Sequence, residues 1–311
     1  MVKGLSFYQN SHFVEAGLEI IGVFNSQFTN SQTNYQLPIP NSQLRRRLMS
    51  NLESKPLNSN KFKAVRRKAL SISSAELIKT ELIQPEQPLP LVIKPAVDGV
   101  NLLAWAANNR ELIETKLLHH GGILFRNFKI TEVADFEQFI KTISGSLLEY
   151  SYRSTPRSQV SGRIYTSTEY PADQFIPLHN EMAYSLNWPM KILFFCVKAA
   201  DIGGETPIAD SRKVFQRLDS KIKEQFIQKK IRYVRNYGEG LDLHWENVFQ
   251  TSDQSDVEHY CRSAGIELEW KDRGNLRTSQ VCQAVATHPK TGEKVWFNQA
   301  HLFHVSALKL E

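Results

Sequence analysis

Cysteine is scarce in this chain: Cys196, Cys261 and Cys282 are the only three in 311 residues, an odd number without close spacing. That excludes a disulfide framework or a cysteine-built zinc site and points to reduced thiols in a cytoplasm. Also missing is any apolar run near the roughly 20 residues that span a bilayer. Met1-Val2-Lys3-Gly4 is followed by no secretory apolar core, so neither membrane insertion nor export is expected. No internal repeat is evident. The formal charge of +6 hints at a nucleic-acid partner, but residues 1–68 carry 10 Lys/Arg against 3 Asp/Glu. The surplus of seven leaves the remaining residues at a net −1, so the body is neutral and binding to nucleic acid or membrane is not expected.

Hydrophobic content of 41% and charged content of 23% are those of a soluble globular protein, long enough for one large domain or two ordinary ones. Residues 25–60 are rich in Asn, Ser and Gln, with Pro38, Pro40 and Pro56 among them, a composition poorly suited to a packed core. Residues 1–70 therefore read as a polar, basic, linker-like segment with short helices over 13–24 and 44–52, serving to join or dock to a larger assembly. Residues 71–311 read as the folded domain, entered through the proline-rich stretch 85–95. The apolar spacing predicts helices over 101–120, around Phe136, Phe139, Ile140 and Ile143, and over 256–264. A further helix begins near Asp210 or Ser211, with Val214, Phe215, Leu218, Ile222 and Phe226 as its core-facing stripe. Strands are predicted at 122–128, 191–197 and 231–234, and at 266–270 pairing with 280–287.

Two His-x-Glu triplets stand out, His179-Asn180-Glu181 and His244-Trp245-Glu246, where chance alone supplies roughly one. Alternation on a strand puts positions 179 and 181 on one face, where an imidazole nitrogen and a carboxylate oxygen can hold one metal ion and leave coordination positions open. The second triplet is expected in a loop or on a helix, where residues two apart diverge. The bland reading of the first is a core histidine beside a surface glutamate, and the triplet by itself does not decide between them. Thr206 follows in Gly203-Gly204-Glu205-Thr206-Pro207.

Six motifs widen the view: Gly121-Gly122-Ile123-Leu124-Phe125-Arg126; Arg153-Ser154-Thr155-Pro156-Arg157; Tyr165-Thr166-Ser167-Thr168-Glu169-Tyr170-Pro171; Leu178-His179-Asn180-Glu181; Gly203-Gly204-Glu205-Thr206-Pro207-Ile208-Ala209-Asp210; and Trp296-Phe297-Asn298-Gln299-Ala300-His301-Leu302-Phe303-His304. In this order they resemble the TauD/TfdA family of Fe(II)- and 2-oxoglutarate-dependent oxygenases, and within it the syringomycin-type and clavaminate-synthase-like branch. The resemblance implies an α+β fold with a double-stranded β-helix (jelly roll) core flanked by helices. It makes His179 and Glu181 the catalytic, metal-ligating pair for Fe(II), and Thr206 the residue that binds the cosubstrate 2-oxoglutarate. Arg153 and Arg157 are candidates to clamp a substrate carboxylate or phosphopantetheine phosphate, with surface charges at a turn as the competing reading; Asn298 joins them as a substrate-side residue.

In that family a second histidine ligand and an arginine for the far carboxylate of 2-oxoglutarate lie several tens of residues beyond the last motif, whereas only seven residues follow His304. The expectation is thus a domain incomplete at its C-terminus, with His301 and His304 poor replacements for the missing ligand. Halogenating relatives lack the carboxylate, so Glu181 implies a hydroxylase. The implied function is oxidation of an amino acid, free or bound to a synthase carrier protein. The alternative is a truncated, non-catalytic relative that serves as a docking module.

Overall fold

Nearly continuous apolar runs explain the central strands. The structure, a computed structural model, describes residues 19–24, 73–144, 147–148, 150–155, 157–167, 176–199, 205–238 and 242–307. In chain order these form β1 (Glu19–Phe24), β2 (Ile78–Gln84), β3 (Gln87–Pro95), α1 (Leu102–Asn108), α2 (Arg110–His120), β4 (Gly122–Arg126), α3 (Val133–Ser144), β5 (Gln159–Ser161), β6 (Ile164–Tyr165) and β7 (Lys191–Cys196). The largest sheet runs β2-β3-β4-β1-β7, antiparallel between β2 and β3 and parallel elsewhere. Four of the five residues of β4 are buried, as parallel strands covered on both faces require. Against this sheet α1 to α3 pack Trp105, Ile113, Leu117, Phe136, Phe139 and Ile140. Phe125 at the centre is fully buried, with Trp105, Phe128 and Phe139 edge-on around it at ring separations of 6.4, 6.1 and 5.2 Å. Burial of one such ring contributes about 1.5–3 kcal/mol.

The rest of the chain forms α4 (Ser211–Arg217), α5 (Ser220–Lys229), β8 (Ile231–Tyr237), α6 (Trp245–Phe249), α7 (Gln254–Ala264), β9 (Glu267–Trp270), β10 (Leu276–Cys282), β11 (Val285–Thr287), β12 (Lys294–Trp296) and α8 (Ala300–Phe303). An antiparallel sheet β8-β10-β9 buries one face of β8 against a second core of Tyr150, Tyr152, Tyr184, Tyr233, Tyr237 and Trp245. This core is unusually polar. At its heart the Arg235 guanidinium lies 4.9 Å from the ring centres of Tyr152 and Tyr237 and bonds Asp242 at 2.8 and 3.1 Å.

Several expectations change. Residues 101–120 form two helices rather than one, because the Asn109 side chain donates to the Trp105 carbonyl at 2.7 Å and competes with the helical backbone. Gly121, at φ 74°, ends α2 as expected. The stripe from Val214 to Phe226 is not core: α4 and α5 contain no buried residue, and Val214 and Ile222 are exposed. Asp219 restarts the helix by accepting the Lys221 and Ile222 amides, which breaks the stripe in two. The expected pairing of 266–270 with 280–287 does not form: β9 pairs with Leu276–Ser279, ahead of that run, while Gln280–Cys282 pair with β8 and β11 pairs with β12.

The helix expected over 13–24 is replaced at Glu19–Phe24 by β1, which pairs with both β4 and β7. The helix expected over 44–52, and the rest of the linker-like reading of 1–70, lie outside the described residues. The fold is mixed, with helices beside sheets, and among the described residues no sheet closes into a barrel. No helix among them is long and apolar enough to cross a membrane.

Candidate metal centre

His179 and Glu181 come together by a turn rather than by strand alternation. Residues 176–180 have no regular structure and a turn begins at Glu181, with Met182 at φ 56°. This corrects the strand expected there, yet the two side chains still converge: His179 Nε2 lies 3.7 Å from Glu181 Oε2. The His179 Nδ1–H donates to the Pro177 carbonyl at 2.8 Å, and because a carbonyl can only accept, this bond leaves the Nε2 lone pair free to ligate when the ring is neutral.

Glu181 is buried and held from three sides. Arg157 Nη2 approaches its two oxygens at 3.3 and 3.5 Å, the Tyr150 hydroxyl donates to Oε1 at 3.3 Å, and His179 flanks Oε2. Burial pushes its pKa up, but Arg157, His179 and Tyr150 outweigh that and hold the carboxyl below its ordinary value. His179 moves the other way: its bond to Glu181 raises its pKa, burial opposes, and the Pro177 carbonyl adds to the rise.

The loop carrying the pair is pinned by residues far away in sequence. Asn180 donates to the Asn298 carbonyl at 3.2 Å and accepts from Ser211 Oγ at 3.1 Å, while Gln299 Nε2 donates to the Asn180 carbonyl. The Asn298 side chain donates to the Ala284 carbonyl at 2.9 Å and accepts from the Ala300 amide at 3.1 Å. That makes it a strut under the loop. His301 Nε2 donates to the Leu178 carbonyl at 3.0 Å, and His304 Nδ1 accepts from the Ser306 amide at 3.2 Å. His301 thus braces the loop before His179 and His304 its own turn; among the described residues no three His, Cys, Asp or Glu side chains cluster as a metal site. Thr206 is exposed in the run 205–210 that ends at Asp210, the cap of α4, one residue before Ser211. His244 caps α6, which places the second triplet at a helix start as expected.

The two arginines of the Arg-Ser-Thr-Pro-Arg motif differ. Every nitrogen of Arg153 has a protein acceptor: Nε the Tyr150 carbonyl, Nη1 the Arg157 carbonyl and Nη2 the Gln250 side chain. The Arg157 side chain is 4% exposed, its guanidinium lies 4.9 Å from the Tyr150 ring centre, and its buried Nη1 has no hydrogen-bond partner among the described residues. Tyr150, Ser211 and Gln299 carry no metal-like signal in sequence; Asn180 and Gln299 are visible only as members of motifs, and Tyr150 not at all.

A donor set of one neutral imidazole and one ionised carboxylate suits a first-row divalent ion. Ligand atoms about 2.0–2.2 Å from such an ion and at right angles sit about 3 Å apart, so a small closure of the 3.7 Å gap would accommodate one.

Comparison with known proteins shows which family the chain belongs to. Residues 85–310 match the family described as taurine catabolism dioxygenase TauD, TfdA family. Dapdiamide synthesis protein DdaC of Enterobacter agglomerans is 41% identical over 229 residues, covering 70% of this chain and 70% of its own. A clavaminate synthase-like protein of Arabidopsis thaliana is 31% identical over 249 residues, covering 72% of this chain and 75% of its own. Dioxygenases of this family generally depend on Fe(II) and 2-oxoglutarate. With a family match over residues 85–310 and relatives 41% and 31% identical over most of its length, the chain belongs to the TauD/TfdA family and is a dioxygenase.

Proposed function

We propose that this dioxygenase uses Fe(II) held by His179 and Glu181, with 2-oxoglutarate as cosubstrate contacted by Thr206, to hydroxylate an amino acid, free or carried on a synthase carrier protein. The observation that carries the reading is the convergence of His179 Nε2 and Glu181 Oε2 at 3.7 Å with the histidine already oriented by the Pro177 carbonyl. Bound together, Fe(II) and 2-oxoglutarate supply the oxidising power. This chain's residues orient and exclude. The Pro177 carbonyl fixes the His179 ring, while Arg157 and Tyr150 keep Glu181 ionised and aimed at His179. Asn180, Asn298 and Gln299 hold the loop in place.

On the substrate side we assign Arg157 rather than Arg153, whose nitrogens already have protein acceptors, and we give Asn298 the role of support. The family likeness supports a jelly-roll framework around the site, and the biosynthetic names of the two relatives support a place in biosynthesis. The test is O2-dependent conversion of 2-oxoglutarate to succinate in the presence of free amino acids and aminoacylated carrier proteins. Turnover by the wild-type chain and none by His179→Ala or Glu181→Ala is expected. No turnover with any of them would remove the enzymatic reading in favour of a docking module.

A further inference from the structure

Among the described residues, the ionised side chain beside Glu181 with a buried donor left over is Arg157. Its Nη2 is spent on both Glu181 oxygens at 3.3 and 3.5 Å, and its Nε reaches Thr155 Oγ1 at 3.4 Å. Its Nη1, fully buried, has no hydrogen-bond partner among the described residues. A buried guanidinium donor without an acceptor is costly, and a planar fork that already grips one carboxylate is shaped to grip a second. The Tyr150 ring at 4.9 Å limits the swing of the group away from this position. The neighbouring Arg153 offers no comparable donor, since each of its nitrogens bonds protein. Charge argues the same way: a divalent ion at His179 and Glu181 would face the Arg157 cation across a shared carboxylate. An incoming anion offsets that repulsion.

We propose that Arg157 is an anion subsite next to the metal ligands, where Nη1 donates to a carboxylate of the molecule bound there while Nη2 keeps Glu181. That carboxylate belongs to 2-oxoglutarate or to the substrate, and this deepens, and rests on, the reading of His179 and Glu181 as metal ligands.

The experiment is calorimetric titration of Mn(II)-loaded protein, wild type, Arg157→Gln and Arg157→Lys, with 2-oxoglutarate, 2-oxobutyrate, succinate and a panel of free amino acids with their α-amides. Arg157→Gln is expected to weaken at least one carboxylate ligand about 10- to 150-fold, the equivalent of about 1.5–3 kcal/mol for a charge-assisted bond at 1.4 kcal/mol per decade. Its counterpart lacking that carboxylate should be unaffected, and Arg157→Lys should fall between. Loss for 2-oxoglutarate but not 2-oxobutyrate assigns the subsite to the cosubstrate; loss for amino acids but not their amides assigns it to the substrate. Equal dissociation constants in wild type and Arg157→Gln for every carboxylate, or no carboxylate bound by wild type, overturns the proposal. If Arg157→Gln does not fold, the wild type and Arg157→Lys comparison decides by the same criterion. Mn(II) binding to His179→Ala, measured separately, tests the underlying metal reading: loss there with no carboxylate effect at Arg157 sinks this inference alone.

Discussion

Asp242→Ala should damage the protein far more than Arg235→Met, although each removes one half of the same ion pair. The Arg235 side chain is 2% exposed and Asp242 18%. Deleting Asp242 leaves a guanidinium inside a ring of tyrosines with its two carboxylate bonds gone and Nη1 already without a hydrogen-bond partner among the described residues. An uncompensated buried charge of this kind costs about 3–5 kcal/mol. Replacing Arg235 with the similarly long, apolar methionine instead leaves a carboxylate that water can reach. The loss is then chiefly the hydrogen bond from Nη2 to the Arg153 carbonyl at 2.7 Å, about 0.5–1.5 kcal/mol, and some packing against Tyr152 and Tyr237. Urea unfolding of wild type and the two variants checks this. At about 2–4 °C per kcal/mol for a domain of this size, Asp242→Ala should also melt about 6–20 °C lower. Equal losses for the two variants, or a loss below about 1 kcal/mol for Asp242→Ala, would refute the argument that burial makes the pair asymmetric.

Ile21→Pro should destabilise the domain by about 3 kcal/mol or more, because Ile21 pairs with Ile123 on one side and Leu193 on the other and proline removes a ladder donor; a melting temperature within a degree or two of wild type would contradict β1 as a central strand. In the metal-free protein the raised His179 pKa contributes stability that is full below its unfolded value near 6.5 and lost as pH rises through the higher folded value. The lowered Glu181 pKa contributes stability present above its unfolded value near 4.5 and lost as pH falls, so His179→Ala should cost most between these limits, as urea unfolding across pH would show. Metal binding should take up its ion with proton release in the range where His179 is still protonated, an effect read by calorimetry in buffers of different ionisation heat. All three cysteines are buried, and burial pushes the Cys261 and Cys282 thiols up to about 12, so native protein should resist iodoacetamide that labels all three after denaturation.

The donor residues were legible in sequence; their local geometry was not. His179 and Glu181 stand out by residue type and spacing, but the strand argument that joined them fails, because Met182 takes a left-handed conformation and residues 176–184 form an open loop and turn. Convergence comes instead from long-range pins: Asn298 and Gln299 act across more than a hundred residues on Asn180, which no local pattern reveals. Helices α3 and α7 follow from apolar spacing because they pack on a core. The stripe on α4 and α5 misleads because an Asp219 cap interrupts it, a local choice that outweighs periodicity. Burial separates Arg157 from Arg153, and two identical residues four apart carry no sequence signal of that difference.

The measurement that bears most directly on the site is an anaerobic Fe(II) titration in the presence of 2-oxoglutarate, followed by the visible absorption of the metal and cosubstrate together, in wild type and His179→Ala. The account predicts a saturable signal in wild type and an Fe(II) dissociation constant at least about tenfold weaker in His179→Ala, in keeping with loss of an interaction of about 1.4 kcal/mol or more. The same dissociation constant and the same absorption in both proteins would show that the ion is held elsewhere.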